Sequence, residues 1–163
     1  MQILGIDPGY GTTGFALLES DRASLRLLQC GVVTTPPGMA FPQRLNVLYQ
    51  DIVQLMVSAN PQAMAIEELF FGHNVTTGIG VAQARGVILL AAAQQNIPVF
   101  TYTPMQVKQA VVGYGGASKN QVMDMTRRIL RLEKIPRPDD AADAIAIALC
   151  HARAATSRLT GIG

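Results

Sequence analysis

The opening stretch Gln2-Ile3-Leu4-Gly5-Ile6-Asp7-Pro8-Gly9 constrains this chain more than any other. A near-continuous apolar run of strand length reads as a strand covered on both faces, and so as an interior member of a layered sheet. The run stops at an acid followed by Pro-Gly, a pair that turns the chain. Asp7 is left at the tip of a buried strand, where a carboxylate is partly desolvated unless a cation or hydrogen-bond donors compensate it. A fold that keeps this residue has to supply the compensation from elsewhere in the chain.

The order of the remaining segments suggests where. Gly9, Gly11 and Gly14 read as a tight return into a second strand over residues 13–18, and the partly alternating residues 24–34 read as a third, so three antiparallel strands open the chain. From Pro42 the apolar residues Leu45, Leu48, Tyr49, Ile52, Leu55 and Met56 recur at helical spacing, until Asn60-Pro61 ends the helix. A short buried strand over residues 63–66 then delivers a second acid, Glu67, at its tip.

A long helix follows over about residues 81–95, with Gly78, Gly80 and Gly86 weakening its start. Its small apolar residues, among them Ala82, Ala91, Ala92 and Ala93, suit tight packing on the sheet or on a second copy of the chain. After a strand at residues 97–102, Thr103-Pro104-Met105-Gln106 and Ser118-Lys119-Asn120-Gln121 both carry the capping-box signature of a helix start. They predict helices to residue 112 and to about residue 132, joined by a glycine-rich loop at 113–116. A last helix starts at Pro138-Asp139-Asp140 and runs through residue 155. Strands that open as a meander and then alternate with helices predict an α/β fold, a mixed five-stranded sheet flanked by helices. No repeat or linker interrupts residues 1–163, which read as one domain.

Composition narrows the function classes. Thirteen Lys and Arg against eleven Asp and Glu give a formal charge of +2, too small on its own to mark a nucleic-acid binder. If Asp7, Glu67, Asp140 and Asp143 share one site, however, the rest of the surface is more basic than the net charge implies. Cys30 and Cys150 match no metal-ligand spacing and read as buried free thiols. Neither a secretory leader nor an apolar run of membrane-spanning length is read, so the expectation is a soluble, cytoplasmic protein with no membrane contact.

The four acids carry the chemistry. Asp7 and Glu67 lie at the carboxyl ends of two strands, where open α/β sheets form their ligand crevices. Asp140 and Asp143, three residues apart, project from one face of the last helix's first turn. Ordinary explanations exist as well: Asp7 forms turns, Asp139 and Asp140 suit a helix start, and Glu68 beside Glu67 could be solvated. Together they offer a hard, all-oxygen donor set, which favours magnesium or manganese over zinc. Two such ions about 4 Å apart suit phosphodiester hydrolysis. His73 is a loop residue with some chance of lining the site, His151 reads as structural or exposed, and Ser118 is a helix cap. Arg127, Arg128 and Arg131 read as a solvated face.

The blocks Leu4-Gly5-Ile6-Asp7-Pro8-Gly9, Ala65-Ile66-Glu67, Gln83-Ala84-Arg85-Gly86, Gln106-Val107-Lys108-Gln109 and Asp140-Ala141-Ala142-Asp143-Ala144 resemble, in order and over nearly the whole chain, the RuvC family of Holliday-junction resolvases within the ribonuclease H-like superfamily. The resemblance implies a homodimeric endonuclease that binds four-way DNA junctions. It would nick two strands symmetrically with magnesium, in partnership with a branch-migration helicase. It assigns Asp7, Glu67, Asp140 and Asp143 as metal-binding catalytic acids, and Lys108 and Lys119 to the DNA-binding surface. Phe70 matches an aromatic that stacks on bases at the crossover, although core packing explains Phe70 or Phe71 equally well from pattern alone. The residue types agree with these assignments, since Lys108, Lys119 and Arg85 could bind phosphates and Phe70 or Tyr114 could stack on an unpaired base. A related nuclease acting on RNA or RNA/DNA hybrid, and a noncatalytic junction-binding module, are the competing expectations.

Overall fold

The computed structural model describes residues 1–21, 24–70 and 75–159, the last three by their backbone alone. The elements run β1 (Gln2–Asp7), β2 (Thr12–Ser20), β3 (Leu25–Thr34), α1 (Phe41–Ala59), β4 (Ala63–Glu67), α2 (Val75–Gln94), β5 (Val99–Tyr102), α3 (Pro104–Val112), α4 (Lys119–Ile129) and α5 (Asp139–Leu159). The five strands form one sheet in the order β3-β2-β1-β4-β5. The first three pair antiparallel, and β4 and β5 add parallel to β1. This is the mixed sheet that the segment order predicts.

Helices cover both faces, so β1 is interior by position as well as by sequence. On one face Leu4, Ile6, Met64 and Ile66 pack against Leu48, Ile52 and Met56 of α1 and Ala84 and Ile88 of α2. On the other, Ile3, Ala16, Leu18 and Ala65 pack under the Ala144–Ala148 stretch of α5, with Val107 of α3 and Val122 of α4 alongside. Side chains along a strand alternate between faces. Asp7 and Glu67, in step with Ile3 and Ala65, therefore belong to the α5 side.

The helix starts at α3 and α4 follow their sequence signals. Thr103 Oγ1 accepts from the Gln106 backbone N–H at 3.1 Å while Gln106 Oε1 accepts from the Thr103 N–H at 2.8 Å, and Ser118 and Gln121 repeat the exchange at 3.2 and 2.8 Å. Asn60 closes α1 in the left-handed conformation, with φ 45°.

Several boundaries differ from expectation. Helix α2 begins at Val75 rather than near residue 81, because tertiary packing outweighs the local cost of glycine: Gly80 lies against the Tyr10 ring, where a Cβ would come within 2.8 Å of it. Helix α4 stops at Ile129 rather than at about 132, and the chain turns through Arg131 at φ 52°. Strand β2 extends from Thr12 to Ser20, a residue earlier and two later than expected, with Gly14 inside it. By length and composition alone, α2 does reach the dimensions of a membrane-crossing helix, contrary to the sequence expectation. Its Ala84, Ile88, Ala91 and Ala92 are nevertheless fully buried within the protein, while Ile79 and Leu90 are exposed. Cys150 is buried and Cys30 half-buried, both as free thiols.

Candidate active site at the carboxyl ends of the central strands

The site begins with strand register. Ile6 of β1 lies abreast of Ile66 of β4, so the next residue of each strand, Asp7 and Glu67, emerges side by side at the edge of the sheet. The turn after Asp7 is held from within. Buried Thr13 donates through Oγ1 to the Gly9 carbonyl, and its Oγ1 accepts from the Gly9 N–H. Thr35 donates to the Tyr10 carbonyl and accepts from Arg44 Nε at 2.9 Å, while the Arg44 guanidinium sits 5.1 Å from the centre of the Tyr10 ring.

Helix α5 brings the second pair of acids, and two glycines set its distance from the sheet. A Cβ on Gly14 would stand 2.0 Å from the Asp140 carbonyl oxygen, and one on Gly5 2.2 Å from the Ala144 carbonyl oxygen. No side chain fits there, so the helix backbone rests directly on β1 and β2. Gly14 is the register partner of Asp7. The backbone contact at Asp140 is thus made on the residue opposite Asp7, and it carries the first turn of α5 over the strand tips. The sequence signal for this contact was a glycine inside a strand pattern, which marks close backbone approach.

The electrostatics report the convergence. Burial pushes the Asp7 carboxyl up to about 7, and repulsion from Glu67, Asp143 and Asp140 adds to that rise. Glu67 is raised by burial first and then by Asp143, while Lys119 and Lys108 oppose the rise. Lys119, the first residue of α4, donates from Nζ to Asp143 Oδ2 at 3.0 Å and lies 3.5 Å from Asp139 Oδ2. Its own pKa is raised chiefly by the hydrogen bond to Asp143. Glu67, Lys108, Lys119 and Asp143 share a cavity of about 270 Å³.

The donor set suits a hard divalent cation: carboxylate oxygens only, partly desolvated and mutually repelling. Among the described residues no three acid, His or Cys side chains form a ready-made metal-binding group.

The other expected residues fall as follows. Phe70 is 73% exposed, which removes core packing as its explanation. Phe71 and His73 lie outside the described residues. Tyr114 is exposed in the loop before α4, and its hydroxyl donates to Gln121 Oε1 at 2.8 Å. Arg85 is engaged within the protein, Nε donating to the Glu67 carbonyl at 3.1 Å and a terminal nitrogen to Thr101 Oγ1 at 3.1 Å, so it braces the end of β4. His151 is buried and shares a 2.7 Å hydrogen bond with the Tyr102 hydroxyl. Arg127 and Arg128 pair with Asp124 on the outer face of α4. Thr13, the Gly5 and Gly14 seats and Asp139 were not singled out by sequence reasoning as site residues, although Gly14, inside the expected second strand, carried a signal of close backbone approach.

A 3-2-1-4-5 mixed sheet with carboxylates at the tips of β1 and β4 and more on a helix laid across them is the arrangement of the ribonuclease H-like fold. Comparison with known proteins narrows the class. The family model described as crossover junction endodeoxyribonuclease RuvC matches residues 3–151. The crossover junction endodeoxyribonuclease RuvC of Chloroflexus aurantiacus is 55% identical over 152 residues, 93% of each chain. The solved structure of Thermus thermophilus RuvC superposes with a TM-score of 0.91 at 38% identity over 97% of both chains. The same protein in complex with a Holliday junction substrate gives 0.87 at 37% identity over 96% of both. The chain belongs to the RuvC family of crossover junction endodeoxyribonucleases. Nucleases of this family depend on a divalent metal.

Proposed function

We propose that this chain is a structure-specific endodeoxyribonuclease that resolves four-way DNA junctions by paired, symmetric nicks. Family membership over residues 3–151 supports the reading, and the observation that carries it is the convergence of Asp7, Glu67, Asp140 and Asp143 under the start of α5. These four residues are the catalytic, metal-holding acids, and residues 1–163 act as one nuclease unit. The cofactor is magnesium, with manganese as a substitute, two ions to a site. When bound, such a pair supplies an activated water and stabilises the leaving oxygen of the phosphodiester.

The chain's own groups do the rest. Asp7 and Glu67 are held to one geometry by adjacent strands, and Arg85 fixes the end of β4 through the Glu67 carbonyl. Lys108 and Lys119, on the rim of the same cavity, bind phosphate oxygens and draw the backbone toward the acids. Exposed Phe70 and Tyr114 offer faces on which unpaired bases at the crossover stack. Arg85, with two donors already engaged, contributes to DNA binding at most through its remaining N–H groups.

Paired nicking calls for two sites, and a homodimer supplies them. The exposed apolar side chains of α2, Ile79 and Leu90, suit such an interface. A branch-migration helicase is the expected partner and the cytoplasm the expected location. The test is a cleavage assay on a four-way junction, linear duplex and RNA/DNA hybrid, with and without magnesium. Paired magnesium-dependent nicks confined to the junction are expected; cutting of the hybrid alone would overturn the assignment.

A further inference from the structure

Lys119 is shared, and the sharing extends beyond the four acids. Its ammonium lies 3.0 Å from Asp143 Oδ2 and 3.5 Å from Asp139 Oδ2. Asp139 in turn accepts from Arg137 through its other oxygen, Oδ1. Asp139 therefore stands between two cations, one oxygen for each. Local helix energetics do not account for the lysine, since a cation at the first residue of a helix faces the positive end of the macrodipole. What holds it is the pair Asp139 and Asp143 near the start of α5.

The arrangement has a mechanical consequence. The ammonium takes up one acceptor site of Asp143 and offsets the negative charge with which that carboxylate would hold a divalent cation. Drawing Lys119 off Asp143 restores that charge, and Asp139 is the neighbouring carboxylate already within reach. We propose that Asp139 is a positioning residue that receives the Lys119 ammonium when Asp143 takes up a divalent cation, and that Arg137 tunes this transfer by competing for Asp139. The transfer keeps Lys119 beside Lys108 on the rim of the cavity, where a phosphate arrives. Arg137, Asp139 and Lys119 all have substantially exposed side chains, so each pairing is weak and the transfer is readily reversible. This inference rests on the metal-site reading of the four acids and adds to it a role for two residues outside that set.

The experiment is a manganese titration of the full chain without DNA, with free ion followed by electron paramagnetic resonance. Asp139→Asn should weaken binding about three- to fivefold, the size expected of an exposed ion pair. Arg137→Gln should tighten binding by a similar factor. A lost charge would also act through the general field, so the deciding measurement is the same pair of substitutions in a Lys119→Gln background. Both effects should vanish there if they act through Lys119. Effects of equal size in both backgrounds, or no effect of Asp139→Asn in either, overturn the proposal. Asp7→Asn separates this failure from failure of the metal site. If Asp7→Asn abolishes manganese binding while Asp139→Asn leaves it unchanged, the metal site stands and the positioning role falls. Binding indifferent to Asp7 removes both.

Discussion

The two faces of the sheet are built differently. Toward α1 and α2 the contact is made by large side chains, with Leu48, Ile52 and Met56 meeting Leu4, Ile6, Met64 and Ile66. Toward α5 it is made partly by backbone, with Gly5 and Gly14 beneath the Ala144 and Asp140 carbonyls. An interface of interdigitated side chains can absorb a change in volume by repacking. A backbone seated on a glycine has no such freedom. The face that carries the acids is thus the one whose spacing is least adjustable, which suits groups that need fixed positions to act.

The first way to sharpen this contrast is Asp7→Asn, which alters the chemistry and leaves both interfaces intact. Nicking should fall by about three orders of magnitude or more, while junction affinity stays within about twofold; the loss of one metal-holding carboxylate justifies the scale. A parallel cleavage and gel-shift series would read both. A variant that cuts at near-normal rate would remove Asp7 from the site.

The pH dependence of stability comes next. Asp7 titrates at about 7 in the folded protein against an ordinary 3.8. Between those values the folded state holds a proton that the unfolded state has released, so stability falls as pH rises through this window. A difference of that size is worth at most ~4 kcal/mol. Denaturant unfolding at pH 5 and pH 8 should show the loss, Asp7→Asn should flatten it, and added magnesium should reduce it. A wild-type stability that rises from pH 5 to pH 8 would contradict the burial and repulsion that raise Asp7.

Gly14→Ala tests the backbone seat. The added methyl meets the Asp140 carbonyl and forces α5 away, at a cost of ~1–3 kcal/mol in unfolding free energy. Displacing Asp140 and Asp143 by about 1 Å should lower nicking about a hundredfold even where the protein is folded. The smallest effect belongs to the other face: Ile52→Val should cost ~0.5–1.5 kcal/mol and leave the nicking rate unchanged. Equal losses of activity from these two substitutions would erase the distinction between the faces.

Much of this was legible in the residues. Strand tips ending in Asp7 and Glu67, the capping boxes at Thr103 and Ser118, and the acidic start of the last helix all have local causes, and the structure contains each of them. What misled was equally local. The glycines Gly78 and Gly80 weaken a helix locally, yet the chain is helical from Val75, and at Gly80 the missing side chain makes room for the Tyr10 ring. Arg85 was read as a phosphate binder by residue type, and no local pattern signalled that its guanidinium also reaches the Glu67 carbonyl and Thr101 at the end of β4.

By itself the sequence determined which residues end strands and begin helices, because turn, cap and periodicity are set by neighbours a few positions away. It also suggested the kind of ligand that the proposed site would take, a hard cation, since the four acids offer only oxygen donors. Tertiary structure decided the rest. The parallel register of β1 and β4 set Asp7 abreast of Glu67, the glycine seats set the height of α5, and the pairing across α4 and α5 chose Asp143 and Asp139 as partners for Lys119. Those contacts join residues tens to more than a hundred positions apart, and no local pattern encodes a distance across that span.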